Sequence, residues 1–296
     1  DLHAFRGVQP YFSYPRILGH EICAELLGSV DGIAEGELVT VMPYRNCGSC
    51  RACRTGLTNC CSSLSVIGVH EDGGMAQYMG VRKDLILPGQ GLSADDLAVV
   101  EPFAIGAHAL GRVPIGGEKT VLVIGAGPIG HCLLRLAGTM GIRCAVLEQS
   151  PERIHQVKNI PGIDVVDAGS VHAGEALVEL SYGEGFDIVF DATGSLPSIE
   201  GAIRYLAHGG TLVLVGIQQA PFQFSHPEFH KREATITSSR NATRTDMLHV
   251  MDLMKKGILR SEMLINARSA FADVPERFSG WTEPALGVLK ALIDFD

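Results

Sequence analysis

Four cysteines carry the most specific chemistry in the sequence. They are Cys47, Cys50, Cys53 and Cys61, in the run Cys47-Gly-Ser-Cys50-Arg-Ala-Cys53-Arg-Thr-Gly56-Leu-Thr-Asn59-Cys-Cys61. Three thiols at intervals of three, closed by a fourth eight residues on, let one loop wrap a tetrahedral ion. Zn²⁺ suits such a set: four thiolates at about 2.3 Å, no redox chemistry and no open position. Gly56 and Asn59 stand where the loop must turn back, and both tolerate positive φ. Disulfides or free core thiols are the competing readings, but they do not call for turn residues set between thiols at this spacing. Cys60 adjoins Cys61 and is read as a bystander.

A second constellation could hold a dinucleotide. Val121-Leu-Val-Ile-Gly125-Ala-Gly127-Pro128-Ile129-Gly130 reads as a strand, a Gly-x-Gly-x-x-Gly turn and the start of a helix. The glycine pattern alone is weak. Here it follows a clean apolar strand, and a second strand ends in an acid, Glu148, eighteen residues after Gly130. Gly125 permits the tight turn, Gly127 lets the backbone approach a pyrophosphate, and Gly130 lets helix and sheet pack closely. The helix start then offers free N–H groups and the positive end of the dipole. Glu148 can accept both hydroxyls of an adenosine ribose and would repel a 2′-phosphate, so NAD is expected rather than NADP. No basic residue stands between Glu148 and Arg153, and Arg153 is counted with the cofactor-binding residues. Asp191-Ala-Thr193-Gly194 and Val215-Gly216-Ile217 end further strands on the carboxyl edge, which adds Thr193, Val215 and Gly216 to the same site.

A third group is legible only in combination. Gly19-His20-Glu21 follows an apolar run, and Val100-Glu101-Pro102 precedes a helical stretch, Ala104–Arg112. A lone histidine, or a lone glutamate before proline, is more often structural than ligating.

The elements that position these residues fall into two textures. Residues 1 to about 100 read as short β segments broken by glycine: Glu25-Leu-Leu, Glu37-Leu-Val-Thr-Val, Ser65-Val-Ile-Gly-Val and Met75-Ala-Gln-Tyr-Met. From about Thr120, strands alternate with helices: Val121–Ile124, Arg143–Leu147, Asp187–Phe190, Thr211–Val215 and Thr235–Ser238. Strands apolar on both faces imply a buried parallel sheet. One helix is expected to be capped by Ser195, opened by Pro197 and ended by Gly209-Gly210. After about Leu264 come a short helix, Val274–Phe278 capped by Asp273, and an apolar strand, Gly287–Ile293. That tail is expected to return to the β-rich domain.

Composition bounds the rest. At 296 residues the chain can hold two domains, each with its own core. The formal net charge of −9 argues against a nucleic-acid partner, whose phosphates it would repel. The longest uncharged stretch, Val121 to Leu134, is too short to span a bilayer, so no membrane association is expected. The N-terminal residues show no signal pattern, and eight cysteines, half in a metal-type cluster, fit a reducing cytoplasm.

Taken together, the cysteine lobe, Asp1-Leu-His3, Gly-His-Glu, Asp72-Gly73-Gly74-Met-Ala76-Gln-Tyr78, the Glu-Pro and the glycine turn resemble the zinc-containing medium-chain alcohol and polyol dehydrogenases. The resemblance covers essentially the whole length and is nearest the sorbitol, threonine and hexonate branch. It implies an α/β fold: a Rossmann-type doubly wound parallel sheet at 113–264 and a β-rich GroES-like catalytic domain with a zinc lobe at 1–112 and 265–296. Carried over to matching positions, His20 is a catalytic zinc ligand. Glu21 and Glu101 are ligands or near-ligands that exchange with water, and His3 is a proton relay. The Phe229-His-Lys-Arg-Glu233 segment with Ser239-Arg240-Asn241 is similar to members acting on hexonates, which assigns Arg240 to the substrate. In the family a Cys-Gly-Ser/Thr triplet precedes the aspartate matching Asp1, and its cysteine is a zinc ligand. The sequence begins just past it, so within residues 1–296 the catalytic set is expected to be one strong ligand short.

The implied activity is zinc-dependent, NAD-linked oxidation of a secondary alcohol to a ketone, on a polyol or a sugar acid such as a hexonate. Two zinc ions are expected, one structural and one catalytic, in a homodimer or homotetramer. An aminoalcohol or simple alcohol as substrate, a zinc-free reductase of the same superfamily, and a non-catalytic NAD- and zinc-binding scaffold are the rival readings. Zinc content separates the zinc-free reductase, and turnover with NAD⁺ separates the others.

Overall fold

The computed structural model describes residues 1–7 and 9–295. Two compact units emerge, Asp1–Ala104 with Asn241–Asp296, and Ile105–Arg240. No helix among the described residues is long and apolar enough to cross a membrane.

The first unit opens with strands β1 (Cys23–Glu25) and β2 (Leu38–Val41), which join β5 (Ile86–Pro88) in an antiparallel sheet of order β1-β2-β5. A separate two-stranded ladder pairs β3 (Tyr44–Arg45) with β4 (Ser65–Val66), and the cysteine loop lies between them. Val39, Thr40 and Val41 of β2 and Ile86 and Leu87 of β5 are all buried, so these strands are covered on both faces rather than alternating between core and solvent. Met75-Ala-Gln-Tyr-Met does not form a strand. Glycines precede it, and the backbone there pairs with residues 17–19 as a loop crossing.

The second unit holds six parallel strands: β6 (Val121–Ile124), β7 (Cys144–Glu148), β8 (Ile163–Asp167), β9 (Phe186–Asp191), β10 (Leu206–Leu214) and β11 (Thr235–Ser238). Their order is β11-β10-β9-β6-β7-β8, every neighbouring pair parallel. Chain order therefore reverses between β6 and β9, the switch point at which such sheets bind ligands beyond the carboxyl ends of their strands. All four residues of β6 and all five of β7 are buried, as near-continuous apolar runs require when helices cover both faces.

Two expectations need correcting here. β8 was not anticipated, because Asp164 and Asp167 interrupt its apolar run. The helix after Ser195 spans Leu196–Ala202, and Ser195 makes no side-chain cap bond. Gly209 and Gly210 do not end it. They lie inside β10, where the register against β9 shifts between Leu206 and Thr211 and Gly209 takes φ +79.

The chain re-enters the first unit through a twelve-residue helix, Arg244–Lys255, closed at its start by a Thr243–Asp246 capping box. Its Arg244 guanidinium donates to the Asp84 and Ile86 carbonyls beside β5. Strands β12 (Ile265–Ala270) and β13 (Lys290–Asp294) then pair in parallel. The two compact units divide the chain at Ala104 and Arg240, whereas the family resemblance implies domain bounds at 112 and 264.

Candidate active site

The cysteine loop folds around its own sulfurs. Cys50 caps the one-turn helix Arg51–Arg54, its sulfur accepting the Cys53 N–H, and Gly56 supplies the left-handed turn at φ +83. Asn59 does not take a positive φ; it is buried at 2% exposure in a 3₁₀ turn that delivers Cys61. The sulfurs of Cys47, Cys50, Cys53 and Cys61 lie within 4.8 Å of one another. The separations are 3.4 Å for Cys50–Cys53, 3.9 Å for Cys50–Cys61 and 4.0 Å for Cys47–Cys53. A tetrahedron of sulfurs about 2.3 Å from a central zinc has edges of about 3.8 Å, so the donor set fits zinc without rearrangement.

The thiol electrostatics point the same way. Backbone N–H donors bring Cys47 down to about 7 and Cys50 down to about 5. Burial among the other sulfurs pushes Cys53 up to about 12. A cluster that holds some thiolates and resists the rest is one a divalent cation would complete. None of the eight cysteines is in a disulfide, and Cys60 is exposed and outside the group.

The second group forms in the same unit. The Nδ1 or Nε2 of His20 and the carboxylates of Glu21 and Glu101 lie within 4.8 Å of one another. His20 is set by a loop crossing. Gly73, Gly74 and Met75 donate their N–H groups to the carbonyls of Ile17, Gly19 and Leu18 at 2.8–2.9 Å, and Asp72 accepts the Ile17 N–H at 3.1 Å. A Cβ on Gly73 would stand 2.3 Å from the Gly19 carbonyl oxygen, so only glycine lets these backbones meet. Glu101 sits in the first turn of helix Val100–Leu110, where the helix dipole favours an acid. That helix begins ahead of the expected Ala104. Val99, Val100, Phe103 and Ala104 are all at 1% exposure or less and draw Glu101 to 4%.

Three neighbours of this group were not anticipated. The buried Tyr44 hydroxyl donates to Glu101 Oε1. Lys290 Nζ lies 2.6 Å from each oxygen of Glu21. Asp1 Oδ1 is 3.5 Å from His20 Nδ1, a buried nitrogen with no hydrogen bond. Lys290 is 269 residues from Glu21 in the chain, and Tyr44 reads as an ordinary core aromatic; only an acid that needs a donor could have hinted at either.

Burial, partly offset by Glu101 and Glu21, holds His20 below the usual histidine range, which leaves a neutral imidazole able to ligate. Burial also lifts Glu101 above the usual glutamate range; His20 pulls against that and the Glu21 charge adds to it. Burial would do the same to Glu21, but Lys290 and His20 prevail and hold it low. A neutral imidazole and two carboxylates with donor atoms within 4.8 Å of one another fit a divalent cation of the zinc class. His3 lies exposed on the short helix Leu2–Phe5 and is not among the residues of this group.

In the second unit the glycine turn has the geometry its pattern implies. Gly125 takes φ +91, and a Cβ on Gly130 would lie 1.9 Å from the Gly125 carbonyl oxygen. A Cβ on Gly127 would meet only the Arg153 guanidinium, at 3.7 Å, which leaves a cradle open at the start of helix Pro128–Thr139. That helix has Pro128 at its first position, Ile129 and Gly130 in its first turn, and no side-chain cap. A pyrophosphate fits there. Glu148 is 4% exposed and accepts N–H bonds from Ala126 at 2.6 Å, Gln149 at 2.7 Å and Ser150 at 2.8 Å. A carboxylate has about four acceptor positions, so one remains for a ribose hydroxyl where two were expected. Arg153 lies 3.9 Å from Glu148.

Thr193 is fixed by fully buried Asp191, which accepts both its N–H and its hydroxyl, while the Val215 and Gly216 N–H groups donate to the Asp191 carbonyl. The ends of β9 and β10 are thereby tied together on the strand next to the switch point. Asp191 was not singled out from sequence, although a buried acid closing a strand is a signal that could have found it. Arg240 is exposed just beyond β11, at the end of the second unit.

A turn shaped for a pyrophosphate in one unit and donor sets for cations in the other are what a metal-assisted, dinucleotide-linked alcohol dehydrogenase needs. Residues 1–91 match the alcohol dehydrogenase GroES-like domain and residues 128–256 match the zinc-binding dehydrogenase family. The chain belongs to the zinc-type medium-chain alcohol and polyol dehydrogenases. L-galactonate-5-dehydrogenase of Escherichia coli (strain K12) is 40% identical over 299 residues, covering 100% of this chain and 88% of that protein. The crystal structure of a short chain alcohol dehydrogenase from E. coli CFT073 complexed with NADH superposes with a TM-score of 0.90 at 28% identity. It covers 99% of this chain and 87% of that one. A structure from Sinorhizobium meliloti 1021 bound to NADP gives 0.87 at 25% identity, covering 99% and 87%.

Proposed function

We propose that the protein oxidises a secondary alcohol of a sugar acid, with a polyol as the wider class, to the ketone, and passes the hydride to NAD⁺. The observation that carries this is the meeting of His20, Glu21 and Glu101 within 4.8 Å of one another in a dehydrogenase fold. A zinc ion held there supplies Lewis acidity toward the alcohol oxygen. His20, neutral and aimed into the site, and Glu101, with one oxygen fixed by Tyr44, are the residues that would hold it. Glu101 also offers a carboxylate whose protonation follows the charge beside it, suited to water exchange and to taking up the proton the alcohol loses. His3, exposed on its helix, is the residue proposed to pass the alcohol proton to solvent. Cys47, Cys50, Cys53 and Cys61 hold a second zinc, whose role is structural.

The substrate class rests on similarity to the galactonate enzyme and on a glutamate at 101. Arg240 is the residue proposed to pair with a substrate carboxylate. NAD is expected over NADP because a buried acid, Glu148, closes the second parallel strand, with Arg153 3.9 Å from it. Steady-state rates of the zinc-loaded full chain with NAD⁺ and NADP⁺, over hexonates, polyols, threonine and simple alcohols, test the reading. The highest kcat/KM is expected with NAD⁺ and a hexonate; a clear preference for threonine or a simple alcohol would replace the substrate assignment.

A further inference from the structure

Both metal-type groups lie in the first unit, and one side chain joins the frame of the cysteine lobe to a donor of the other group. The cysteine loop leaves β3 and returns to β4, with Cys47 two residues beyond Arg45 and Cys61 four before Ser65. Tyr44 pairs with Val66 and Arg45 with Ser65, so the ladder at the mouth of the lobe is two residue pairs long. Glu71 bridges the second pair, accepting the Ser65 hydroxyl at 3.1 Å and meeting the Arg45 guanidinium at 3.1 Å. Inside the lobe the Cys47 N–H donates to the Cys61 sulfur at 3.3 Å. A ladder this short is marginal by itself. A metal that gathers Cys47 and Cys61 keeps its two strands from parting.

Tyr44 transmits that constraint. It is 2% exposed, and its hydroxyl donates to Glu101 Oε1 across 57 residues of chain. Among the described residues no other group donates a hydrogen bond to the Glu101 carboxylate. His20, by contrast, is set by the crossing of residues 17–19 with 73–75, which closes through its own backbone bonds. On the reading of His20 and Glu101 as the holders of a metal, we infer that Tyr44 is a positioning residue that couples the cysteine lobe to Glu101, so that a metal in the lobe strengthens metal binding at the second group. The element with two arrangements is the β3–β4 ladder. Closed, it aims the hydroxyl at Oε1 and leaves Oε2 to a cation; frayed, it withdraws the hydroxyl and lets the buried carboxylate turn. A hydrogen bond of this kind orients a ligating carboxylate, and its loss costs about 10–100-fold in metal affinity. Coupling between binding sites is reciprocal, so a metal at the second group strengthens the lobe by the same factor.

Cadmium-113 resonances read the two groups separately in the full chain, because a four-sulfur site and a histidine–carboxylate site resonate far apart. Competition with a chelator then gives an affinity for each. Tyr44→Phe keeps the ring and removes the hydroxyl. In it the second group's resonance is expected to shift and its affinity to fall about 10-fold, while the lobe resonance stays in place. Cys50→Ser, which takes the metal from the lobe, should weaken the second group about 10-fold and add little further loss in the Tyr44→Phe background. Unchanged resonance and affinity at the second group in Tyr44→Phe would overturn the inference, as would losses from the two substitutions that simply add. Should Cys50→Ser fail to fold, the reciprocal comparison decides. The lobe should hold cadmium about 10-fold more tightly in the wild type than in His20→Ala, and that difference should vanish when both carry Tyr44→Phe. A difference that persists without the hydroxyl ends the proposal. A wild-type chain that takes up cadmium only at the lobe overturns the metal-centre reading itself, a different result from any of these.

Discussion

At the end of the second parallel strand, Glu148 holds three backbone N–H groups and is proposed to accept a hydroxyl of the cofactor's ribose. Its charge and its structural bonds are therefore tested together. Replacing it by serine and Gln149 by arginine is expected to move the kcat/KM ratio toward NADP⁺. The same change leaves the Ala126 N–H short of its acceptor, which costs about 1–3 kcal/mol in stability. Both are measurable on one variant, by kinetics and by denaturant unfolding. An unmodified protein that already prefers NADP⁺ would contradict the role given to this acid. For Glu101, the expectation is a loss of kcat/KM of about 10²-fold in Glu101→Ala, with NAD⁺ affinity near normal. If Glu101 only supports its helix start, stability falls instead and turnover per folded, zinc-loaded molecule stays intact. Side chains of this kind were legible in the sequence to different degrees. Glu148 could be read from its strand and spacing, whereas His20 and Glu101 needed the family resemblance to rise above ordinary core residues. Lys290 and Tyr44 could not be read at all, because their partners are brought to them only by tertiary structure.

Among the elements, the cysteine loop was the most legible, since spacing alone forces its four sulfurs together. Its loss should be felt in folding before chemistry. Cys50→Ser is expected to lower zinc content by one per chain and to reduce melting temperature or soluble yield. Full metal content with unchanged melting would remove the structural assignment. The first turn of helix Pro128–Thr139 behaves differently. A Cβ at position 130 would stand only 1.9 Å from the Gly125 oxygen, so Gly130→Ala must push strand and helix apart, at a cost of about 3 kcal/mol. NAD⁺ binding, measured by calorimetry, should weaken with it; retained stability and affinity would show that the turn has slack the geometry denies. The β8 strand and the Gly209-Gly210 segment were misread for opposite reasons. Acids hid a strand whose apolar residues are few, and two glycines that suggested a helix end instead serve an irregular stretch inside β10. In both places sheet pairing, which acts across the chain, outweighed local residue preference.

On the scale of the molecule, the sequence divides its work: metal-type groups lie in Asp1–Ala104 with the C-terminal segment, and the dinucleotide turn lies in Ile105–Arg240. The change of texture near residue 120 was plain, because strand periodicity gives way there to alternating strands and helices. The return to the first unit was harder to place, since the Arg244–Lys255 helix looks like those of the parallel-sheet unit until Arg244 is seen to cap carbonyls beside β5. The central claim, metal-assisted and NAD-linked oxidation of a sugar acid, is tested most directly by NADH formation from a hexonate panel. The full chain is assayed as zinc-loaded protein, after dialysis against a chelator, and after zinc is returned. NADH should form on at least one hexonate, disappear with the metal and return with it. Protein that carries two zinc ions per chain yet forms neither NADH nor NADPH from any hexonate or polyol would contradict the account.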